Sequence, residues 1–263
     1  MSDSRAFLEE LFGLGGKTGV VIGGTGVLGG TIAKTLASAG ASVIIAGQNG
    51  DSGRTVVEQI RQGGGEAEFV SLDATDLKSL HDLAERIDEQ GRACNILVNS
   101  AGVNSTTPFL EITDEEWERI FNVNLRSVRL ACQVFGHEMI EASARGSIIN
   151  VASLSAITPL SRVFAYSASK AAVLNLTQNL SREWAPHGIR VNALSPGFFP
   201  AEQNRKVLTP ERVESIMHHT PMKRFGDPQE LAGAVLLLAS DRAGSFVTGA
   251  NIVVDGGFTA MTI

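Results

Sequence analysis

The sequence predicts an α/β fold: a doubly wound, mostly parallel sheet of seven strands with helices on both faces. The strand candidates are short, continuously apolar runs, which suit parallel strands that are buried on both sides. Longer amphipathic runs separate them, so each strand leads into a crossover helix, and right-handed crossovers wind such a sheet in both directions. The 263 residues show no internal repeat or flexible linker, and we expect one domain over residues 1–263.

The predicted elements alternate along the chain, and local signals set several of their limits. Gly40 ends the first helix, and Thr75 or Asp76 is a candidate helix cap. The sequence Thr113-Asp-Glu-Glu116 matches a capping box, which predicts one long helix toward residue 142. Strands are predicted at residues 19–23, 42–46, 67–71, 95–99, 146–151, 189–194 and 251–255. Helices are predicted at residues 31–39, 51–62, 75–90, 113–142, 165–184, 210–218 and 228–239.

Composition and charge restrict the class of protein. Hydrophobic residues make up 43% of the chain, which suits a folded, soluble protein. Lys and Arg number 22 against 28 Asp and Glu, and the net charge of −6 argues against a nucleic-acid-binding surface. Cys94 and Cys132 form no disulfide framework and are expected to be buried free thiols. With no secretory signal and no run of membrane-spanning length, we expect a cytoplasmic protein with no membrane partner.

A glycine-rich turn follows the first predicted strand and opens the first helix. Its residues 24–29, Gly-Thr-Gly-Val-Leu-Gly, fit the Gly-x-Gly-x-x-Gly fingerprint of dinucleotide-binding βαβ units. Free N–H groups at the helix start attract the pyrophosphate, and glycine lets the backbone approach it closely. Alone, the turn could be a simple strand–helix connection, but its place in the chain predicts a dinucleotide site. The expected cofactor contacts here are Gly23, Thr25, Gly26, Val27, Leu28 and Gly29.

The end of the second strand bears on the choice between NAD(H) and NADP(H). An acidic residue there binds the ribose hydroxyls of NAD, whereas an arginine favours the extra phosphate of NADP. This chain instead has Gly47, Gln48 and Asn49, and the nearest cation is Arg54, one turn into the next helix. Because a phosphate dianion binds poorly without a cation, the sequence favours NAD(H) slightly and leaves NADP(H) open.

The chemistry is predicted from Tyr166-Ser-Ala-Ser-Lys170, at the start of a predicted helix. Residues four positions apart share a helix face, so the phenol and the ammonium are neighbours. A nearby cation lowers the pKa of a phenol from its ordinary value near ~10, which suits proton transfer at neutral pH. Tyr166 is the only tyrosine in the chain. An ordinary surface pair of Tyr and Lys is the alternative.

Ser153 follows the fifth predicted strand and precedes Tyr166 by thirteen residues. In open α/β sheets, ligands bind beyond the carboxyl ends of the strands. We therefore expect the Ser153 hydroxyl to bind the oxygen atom of a substrate, and we expect no metal in the site.

Taken together, these features resemble the short-chain dehydrogenases/reductases over residues 14–257. The resemblance rests on the glycine turn, Asn99-Ser-Ala-Gly102, Asn124, Ser153, the Tyr166/Lys170 pair and Pro196-Gly197. It implies a Rossmann fold, a homotetramer, and hydride transfer between NAD(P) and a carbonyl or secondary alcohol. The sequence departs from the family pattern at Ile22, Val27 and Ser100, where threonine, glycine and a second asparagine are usual.

The resemblance also implies a role for each matching residue. Tyr166 resembles the general acid/base, and Lys170 the residue that binds the nicotinamide ribose and lowers the tyrosine pKa. Ser153 resembles the donor to the substrate oxygen, and Asn124 the asparagine that holds a proton-relay water near the lysine. Further cofactor contacts are implied at Asp73, Ala74, Asn99, Ala101, Gly102, Pro196, Gly197 and Phe199.

Residues 24–29, 196–199, 202–205 and 219–226 further resemble D-mannonate oxidoreductases, which interconvert D-mannonate and D-fructuronate. A sugar acid would need hydrogen-bond donors for its hydroxyls and a cation for its carboxylate. Residues 198–226 are irregular and are expected to form a substrate lid. The substrate candidates are Asn104, Ser155, Arg162 and Phe198, and Arg205, His218 and His219 lie in or near the lid.

Two other functions remain open. A reductase of 3-oxoacyl groups on a carrier protein would share the catalytic residues, but the acidic net charge does not favour a basic patch for the carrier. A non-catalytic dinucleotide-binding sensor would share the fold. The intact set of Asn124, Ser153, Tyr166 and Lys170 argues against the sensor.

Overall fold

The computed structural model of the chain describes residues 4–142, 145–199 and 209–261. Its strands are β1 (Thr18–Ile22), β2 (Ser42–Gly47), β3 (Glu66–Ser71), β4 (Cys94–Asn99), β5 (Gly146–Val151), β6 (Ile189–Pro196) and β7 (Asn251–Val254). They form one sheet in the order β3-β2-β1-β4-β5-β6-β7, and every neighbouring pair is parallel. The predicted seven-stranded, parallel α/β fold is therefore confirmed.

The first helix precedes the first strand, and the other helices connect consecutive strands and lie on both faces of the sheet. They are α1 (Ser4–Phe12), α2 (Val27–Ser38), α3 (Gly50–Gln62), α4 (Leu77–Glu89), α5 (Asp114–Phe121), α6 (Ser127–Glu141), α7 (Phe164–Trp184), α8 (Pro210–His219) and α9 (Ala232–Ala239). Short 3₁₀ turns occupy Phe109–Glu111, Leu154–Ala156, Ala185–His187, Pro228–Leu231 and Phe258–Ala260. Side-chain caps begin several helices: Asn49 accepts from Ser52 N at 3.0 Å, and Asp76, not Thr75, caps α4.

Two apolar cores enclose the sheet. On one face, α4, α6 and α7 pack side chains such as Leu80, Phe135 and Val173 against the strands. On the other face, α2, α3 and α9 contribute a second cluster that includes Leu36 and Val235. Because the strands are buried on both sides, their continuous apolar runs are the pattern expected of a parallel sheet.

The register brings the carboxyl ends of the central strands to the same level. Ile22 of β1 pairs with Asn99 of β4, and Asn99 is opposite Asn150 of β5. The chain order reverses between β1 and β4, since β1 continues to β2 on one side and β4 to β5 on the other. A crevice for ligands opens at such a switch point in a doubly wound sheet.

The predicted helix from residue 113 to 142 is interrupted. A π-helical turn, Asn122–Arg126, separates α5 from α6 and changes the helical register at that point. Thr113 Oγ1 accepts from Glu116 N at 3.2 Å, as predicted for a cap, but the Glu116 side chain does not complete the capping box. Its carboxylate instead binds hydroxyls of the preceding loop.

Candidate active site

The glycine turn between β1 and α2 has the geometry of a cradle for a phosphate. Gly23 has a φ of +80°, which favours glycine, and a Cβ on Gly29 would lie 2.3 Å from Gly23 O. Gly26 is the N-cap of α2 and supplies no side-chain acceptor. The first-turn N–H groups of α2 therefore remain available to an anionic ligand.

This turn borders a cleft of about 370 Å³ at the switch point of the sheet. The cleft extends from the glycine turn past the ends of β4, β5 and β6 to the start of α7. Its lining is Gly23, Gly26, Val27, Leu28, Gly29, Ser100, Gly102, Val103, Asn104, Val151, Ala152, Ser153, Tyr166, Lys170, Pro196, Gly197 and Phe199. The glycine cradle at one end and polar catalytic-type side chains at the other fit a nicotinamide dinucleotide.

The residues predicted near the adenosine half lie outside this lining. A Cβ on buried Gly47 would lie 2.9 Å from Thr25 Oγ1, so Thr25 packs on the end of β2. Gln48 is exposed, and Asn49 caps α3. Arg54, the cation nearest to this turn in the sequence, pairs with Asp51 at 2.6 Å, and both side chains are largely exposed.

Asp73 and Ala74 follow β3. Asp73 Oδ1 accepts from Thr75 N at 2.8 Å and from Thr75 Oγ1 at 2.7 Å. These bonds fix the turn after the strand, and half-buried Ala74 packs against the core. Both residues remain predicted contacts of the adenine ring.

The turn after β4 combines structural and site residues. The Asn99 side chain is buried and donates to Asn150 Oδ1 at 2.8 Å, so it links β4 to β5 and does not line the cleft. Ala101 packs beside Gly23, because a Cβ on Gly23 would lie 2.4 Å from Ala101 N. Gly102 lines the cleft, and a Cβ there would lie 3.5 Å from Lys170 Nζ.

Tyr166 and Lys170 occupy the first turns of α7, as predicted. Lys170 is buried, its Nζ donates to Val151 O at 2.7 Å, and Nζ lies 5.8 Å from the centre of the Tyr166 ring. Burial lowers the pKa of Lys170 to about 8. Burial also raises the pKa of Tyr166 above 10.0, whereas a hydrogen bond with Ser153 lowers it. Within the chain itself, burial therefore sets the direction of the Tyr166 pKa, and Ser153, not Lys170, is the group that lowers it.

Ser153 lies just beyond β5 and faces Tyr166. Its Oγ accepts from Ser155 N at 3.1 Å and from Ser155 Oγ at 3.0 Å. Both donors come from the short 3₁₀ turn that follows, and both serines are buried. Ser155 thus orients Ser153, and the remaining Ser153 O–H can donate toward Tyr166 or a substrate oxygen.

Asn124 lies in the π-helical turn and is fully buried. Its Oδ1 accepts from Val103 N at 2.8 Å, and its Nδ2 donates to Val103 O at 2.9 Å and to Ser169 Oγ at 3.0 Å. Ser169 in turn donates to Tyr166 O at 2.7 Å. Asn124 therefore joins the loop after β4 to the start of α7, across the floor of the site.

A second side chain of the same helical region holds that loop. Glu116 on α5 accepts from Ser105 Oγ at 2.6 Å and from Thr107 Oγ1 at 2.7 Å. These hydrogen bonds lower the pKa of Glu116, so it stays ionised at neutral pH. The sequence pattern does not indicate this contact, because it predicts that Glu116 belongs to a capping box.

Only some of the predicted substrate residues line the cleft. Asn104 lines the cleft, but Arg162 is exposed, has a φ of +65°, and lies outside the lining. Phe198 packs 5.2 Å from the Phe258 ring, next to a separate cavity of about 610 Å³ that also contacts His218 and His219. His219 also packs against Phe258, with ring centres 4.4 Å apart. Arg205 and residues 200–208 of the expected lid lie outside the described residues.

The described residues provide neither a metal-binding cluster nor a membrane-spanning helix. Within residues 4–142, 145–199 and 209–261, no group of three or more His, Cys, Asp or Glu side chains could hold a metal ion. In the same part of the chain, no helix combines the length and the apolar character needed to cross a membrane.

Known proteins resemble this chain over nearly its whole length. A family model described as Enoyl-(Acyl carrier protein) reductase matches residues 25–259. Galactitol 2-dehydrogenase of Rhizobium johnstonii is 38% identical over 261 residues, which cover 95% of this chain and 98% of that protein.

Two solved structures give the same result in three dimensions. A gluconate 5-dehydrogenase from Burkholderia cenocepacia in complex with NADP and tartrate is 31% identical, with a TM-score of 0.91 and coverage of 97% of this chain and 99% of that one. A provisional D-mannonate oxidoreductase from Haemophilus influenza with bound NAD is 32% identical, with a TM-score of 0.90 and coverage of 97% and 99%. The family model matches residues 25–259, and these relatives match this chain almost from end to end. The chain therefore belongs to the short-chain dehydrogenase/reductase family.

Proposed function

We propose that the chain is an NAD(P)-dependent oxidoreductase that interconverts a carbonyl and a secondary alcohol of a sugar acid or polyol. One observation carries this proposal: Ser153, Tyr166 and Lys170 line the same cleft as the glycine turn at the start of α2. A nicotinamide dinucleotide, when bound, supplies the hydride in reduction and accepts it in oxidation. The chain's own residues must then bind the substrate oxygen and move its proton.

In the direction of reduction, Ser153 and Tyr166 act on the same oxygen atom. The Ser153 hydroxyl donates a hydrogen bond to the carbonyl oxygen, and the Tyr166 hydroxyl gives its proton to that oxygen as the alcohol forms. The buried Lys170 cation lies 5.8 Å from the Tyr166 ring and stabilises the phenolate that remains. With a pKa of about 8, Lys170 is mainly protonated at pH 7. Oxidation uses the same groups in reverse.

Asn124 has a positioning role in this scheme. Its side-chain oxygen and nitrogen already bind Val103 and Ser169, as the distances of 2.8, 2.9 and 3.0 Å indicate. A relay water held by Asn124 would therefore bind its main-chain carbonyl, not its side chain. The π-helical turn supports this role, because such turns leave main-chain groups outside the regular helical bonding pattern.

For the substrate, we propose a sugar acid of the D-mannonate/D-fructuronate type. The support is the resemblance of residues 24–29 and 196–199 to D-mannonate oxidoreductases, together with relatives named for gluconate, galactitol and D-mannonate. The exposed Asn104 in the cleft wall supplies an amide for substrate hydroxyls. We further propose one catalytic domain over residues 1–263 with a lid near residues 198–226, supported by Phe198 and α8 beside the second cavity.

For the cofactor, we propose a preference for NAD(H) over NADP(H). The support is the neutral Gln48 and Asn49 after β2, and the engagement of Arg54 by Asp51 at 2.6 Å. A phosphate on the ribose would meet the Asp51 carboxylate next to Arg54, the candidate cation nearest to it in the sequence. Of the two solved structures described above, the gluconate 5-dehydrogenase holds NADP and the D-mannonate oxidoreductase holds NAD, so these two relatives do not decide between the cofactors.

The test measures reduced-nicotinamide absorbance with separate NAD(H) and NADP(H), against sugar acids, polyols and 3-oxo thioesters. Turnover of D-fructuronate or a related keto acid, and its loss in Tyr166→Phe, is the expected result. Turnover limited to thioesters would favour the acyl-carrier alternative, which the description of the matching family model keeps open. Unchanged turnover in Tyr166→Phe would overturn the catalytic assignment. Tight dinucleotide binding without any turnover would point to the sensor.

We also propose a homotetramer that works in a reducing compartment such as the cytoplasm. Large apolar side chains are exposed beside α5 and α7, among them Phe109, Leu110, Trp117 and Phe164. Such a surface supports burial against another copy of the chain. Cys94 and Cys132 are buried, unpaired thiols with pKa values raised to about 12 by burial, which suits a reducing environment. Light scattering at several protein concentrations tests the tetramer.

A further inference from the structure

The loop that follows β4 forms one wall of the cleft, and Glu116 is bound to it from outside. Both carboxylate oxygens are in use: Oε1 accepts from Ser105 Oγ at 2.6 Å, and Oε2 accepts from Thr107 Oγ1 at 2.7 Å. Hydrogen bonds from hydroxyls to a carboxylate are short and strong compared with neutral ones. One half-buried side chain on α5 thus fixes two alternate residues of the loop.

Asn104 lies between two residues that are both fixed from this helical region. Val103, on one side, exchanges two main-chain hydrogen bonds with the Asn124 side chain at 2.8 and 2.9 Å. Ser105, on the other side, is held by Glu116. Asn104 itself is exposed to the cleft, so its position depends on its neighbours and not on burial.

The Asn104 amide is oriented as well as positioned. Its Oδ1 accepts from Ser105 N at 2.7 Å, which identifies the carbonyl end of the amide and directs it along the loop. The NH₂ group is then the part of Asn104 that can donate to a ligand. A substrate with several hydroxyl groups offers the acceptors that such a donor requires.

From these contacts we infer that Glu116 is a positioning residue for substrate binding: it holds Ser105 and Thr107 so that Asn104 presents its NH₂ group to a substrate hydroxyl. This inference rests on the proposed function, because it assigns Asn104 to the polyhydroxylated part of the substrate. Glu116 touches neither the substrate nor the cofactor. Its effect reaches the cleft only through the loop.

The first test compares Glu116→Ala and Glu116→Gln with Glu118→Gln, an exposed glutamate on the same helix. Glu116→Ala is expected to raise KM for the sugar acid about tenfold while kcat changes by less than about threefold, since ground-state binding is what the loop supplies. The Kd for the dinucleotide, measured by fluorescence, should stay unchanged. Glu116→Gln keeps one acceptor and should fall between Glu116→Ala and the wild type. Equal KM values in Glu116→Ala and Glu118→Gln would overturn the inference.

The second test asks whether Glu116 acts through the hydroxyls and Asn104. In the Ser105→Ala/Thr107→Val background, Glu116→Ala should raise KM no further, and the same should hold in the Asn104→Ala background. Additive losses in both backgrounds would show a general structural role and would overturn the inference.

The third test does not depend on turnover. Amide hydrogen exchange of residues 103–107 should become faster in Glu116→Ala and remain unchanged in Glu118→Gln. Unchanged exchange in Glu116→Ala would overturn the inference even if the enzyme is active. Inactivity of the wild type on every sugar acid and polyol, with faster exchange in Glu116→Ala, would instead reject the proposed function, so the two failures are distinguishable.

Discussion

Lys170 Nζ lies 5.8 Å from the centre of the Tyr166 ring, and its hydrogen bond goes to Val151 O at 2.7 Å. The main-chain carbonyl at the end of β5 therefore holds the ammonium in place, near the Tyr166 ring. Both groups lose water on burial, which raises the pKa of the phenol and lowers that of the ammonium. Both pKa shifts can be tested directly. The shift of the phenol can be measured by absorbance, because the chain has a single tyrosine.

The phenolate absorbance of the free protein reports Tyr166 alone. We expect it to titrate above pH 10.0, since burial raises the pKa of Tyr166. Ser153→Ala should raise that pKa further, because the hydrogen bond with Ser153 stabilises the phenolate. Ultraviolet difference spectra against pH measure both, and Tyr166→Phe should remove the transition entirely. A titration at or below 10.0 in the wild type would contradict the buried environment described for Tyr166.

Burial of Lys170 should make stability depend on pH. Its pKa is about 8 in the folded protein and 10.5 when unperturbed, so between these values the unfolded chain binds more protons. The free energy of unfolding should therefore gain about 1 kcal/mol from Lys170 as pH rises from 8 to 9. Cys94 and Cys132, whose pKa values are raised to about 12, act in the opposite direction.

The difference between the wild type and Lys170→Met isolates the lysine, because the cysteines contribute equally to both. Urea unfolding at pH 7, 8 and 9 should show the wild type gaining stability relative to Lys170→Met as pH rises. Parallel pH dependences for the two proteins would contradict the lowered pKa of Lys170.

Asp51→Asn should shift the cofactor preference toward NADP(H). The change removes a carboxylate from the adenosine end and frees Arg54, which pairs with Asp51 at 2.6 Å. The pair is exposed, so the gain is modest: the ratio of kcat/KM for NADP(H) to that for NAD(H) should rise about three- to tenfold. Arg54→Ala in the same background should abolish the gain. An unchanged ratio would show that neither side chain lies near the ribose.

Gly29→Ala should destabilise the protein by about 1–3 kcal/mol, because its Cβ would lie 2.3 Å from Gly23 O and 2.5 Å from Ser100 Oγ. The nearer atom belongs to the main chain and cannot move aside. Gly233→Ala in α9 is a matched helical control, since a Cβ there meets nothing within 4 Å. It should be neutral or stabilising by up to about 1 kcal/mol. Urea unfolding compares the two, and equal stabilities would contradict the tight contact at Gly29.

Much of the fold can be predicted from apolar periodicity, and the errors of that prediction have physical reasons. The predicted strand at residues 146–151 matches β5 because a strand buried on both faces is apolar throughout. Helix α2 begins at Val27, one turn before the predicted residue 31, because the glycines of the turn hide a helical start. Helix α1 was not predicted: it buries no residue, and Phe7 and Leu8 are 58% and 55% exposed, so no core-facing pattern reveals it.

The position of side chains in the cleft was predictable where they share one short segment, as Tyr166 and Lys170 do. It was less predictable where side-chain direction matters. Asn99 ends β4 at the cleft, but its side chain crosses to Asn150, which the residue type alone does not indicate. Arg162 lies between Ser153 and Tyr166 in the sequence, yet its loop leaves it exposed. Contacts between distant segments, such as Glu116 with Ser105, have no local signature.

The π-helical turn at Asn122–Arg126 has a consequence for which changes in length the chain tolerates. Each residue of a helix advances about 100° around its axis, so removing one residue from this turn would rotate everything beyond it by that angle. Asn124 must point at Val103 and Ser169 while Leu130, Val134 and Phe135 face the core, and a regular helix of one residue fewer could not satisfy both. We therefore expect single-residue deletions within residues 122–126 to abolish soluble expression or activity, whereas substitution of Arg126, the exposed residue of this segment, should be tolerated. This stretch of sequence has to preserve the number of residues between Asn124 and the core positions of α6. The identity of the intervening side chains matters less.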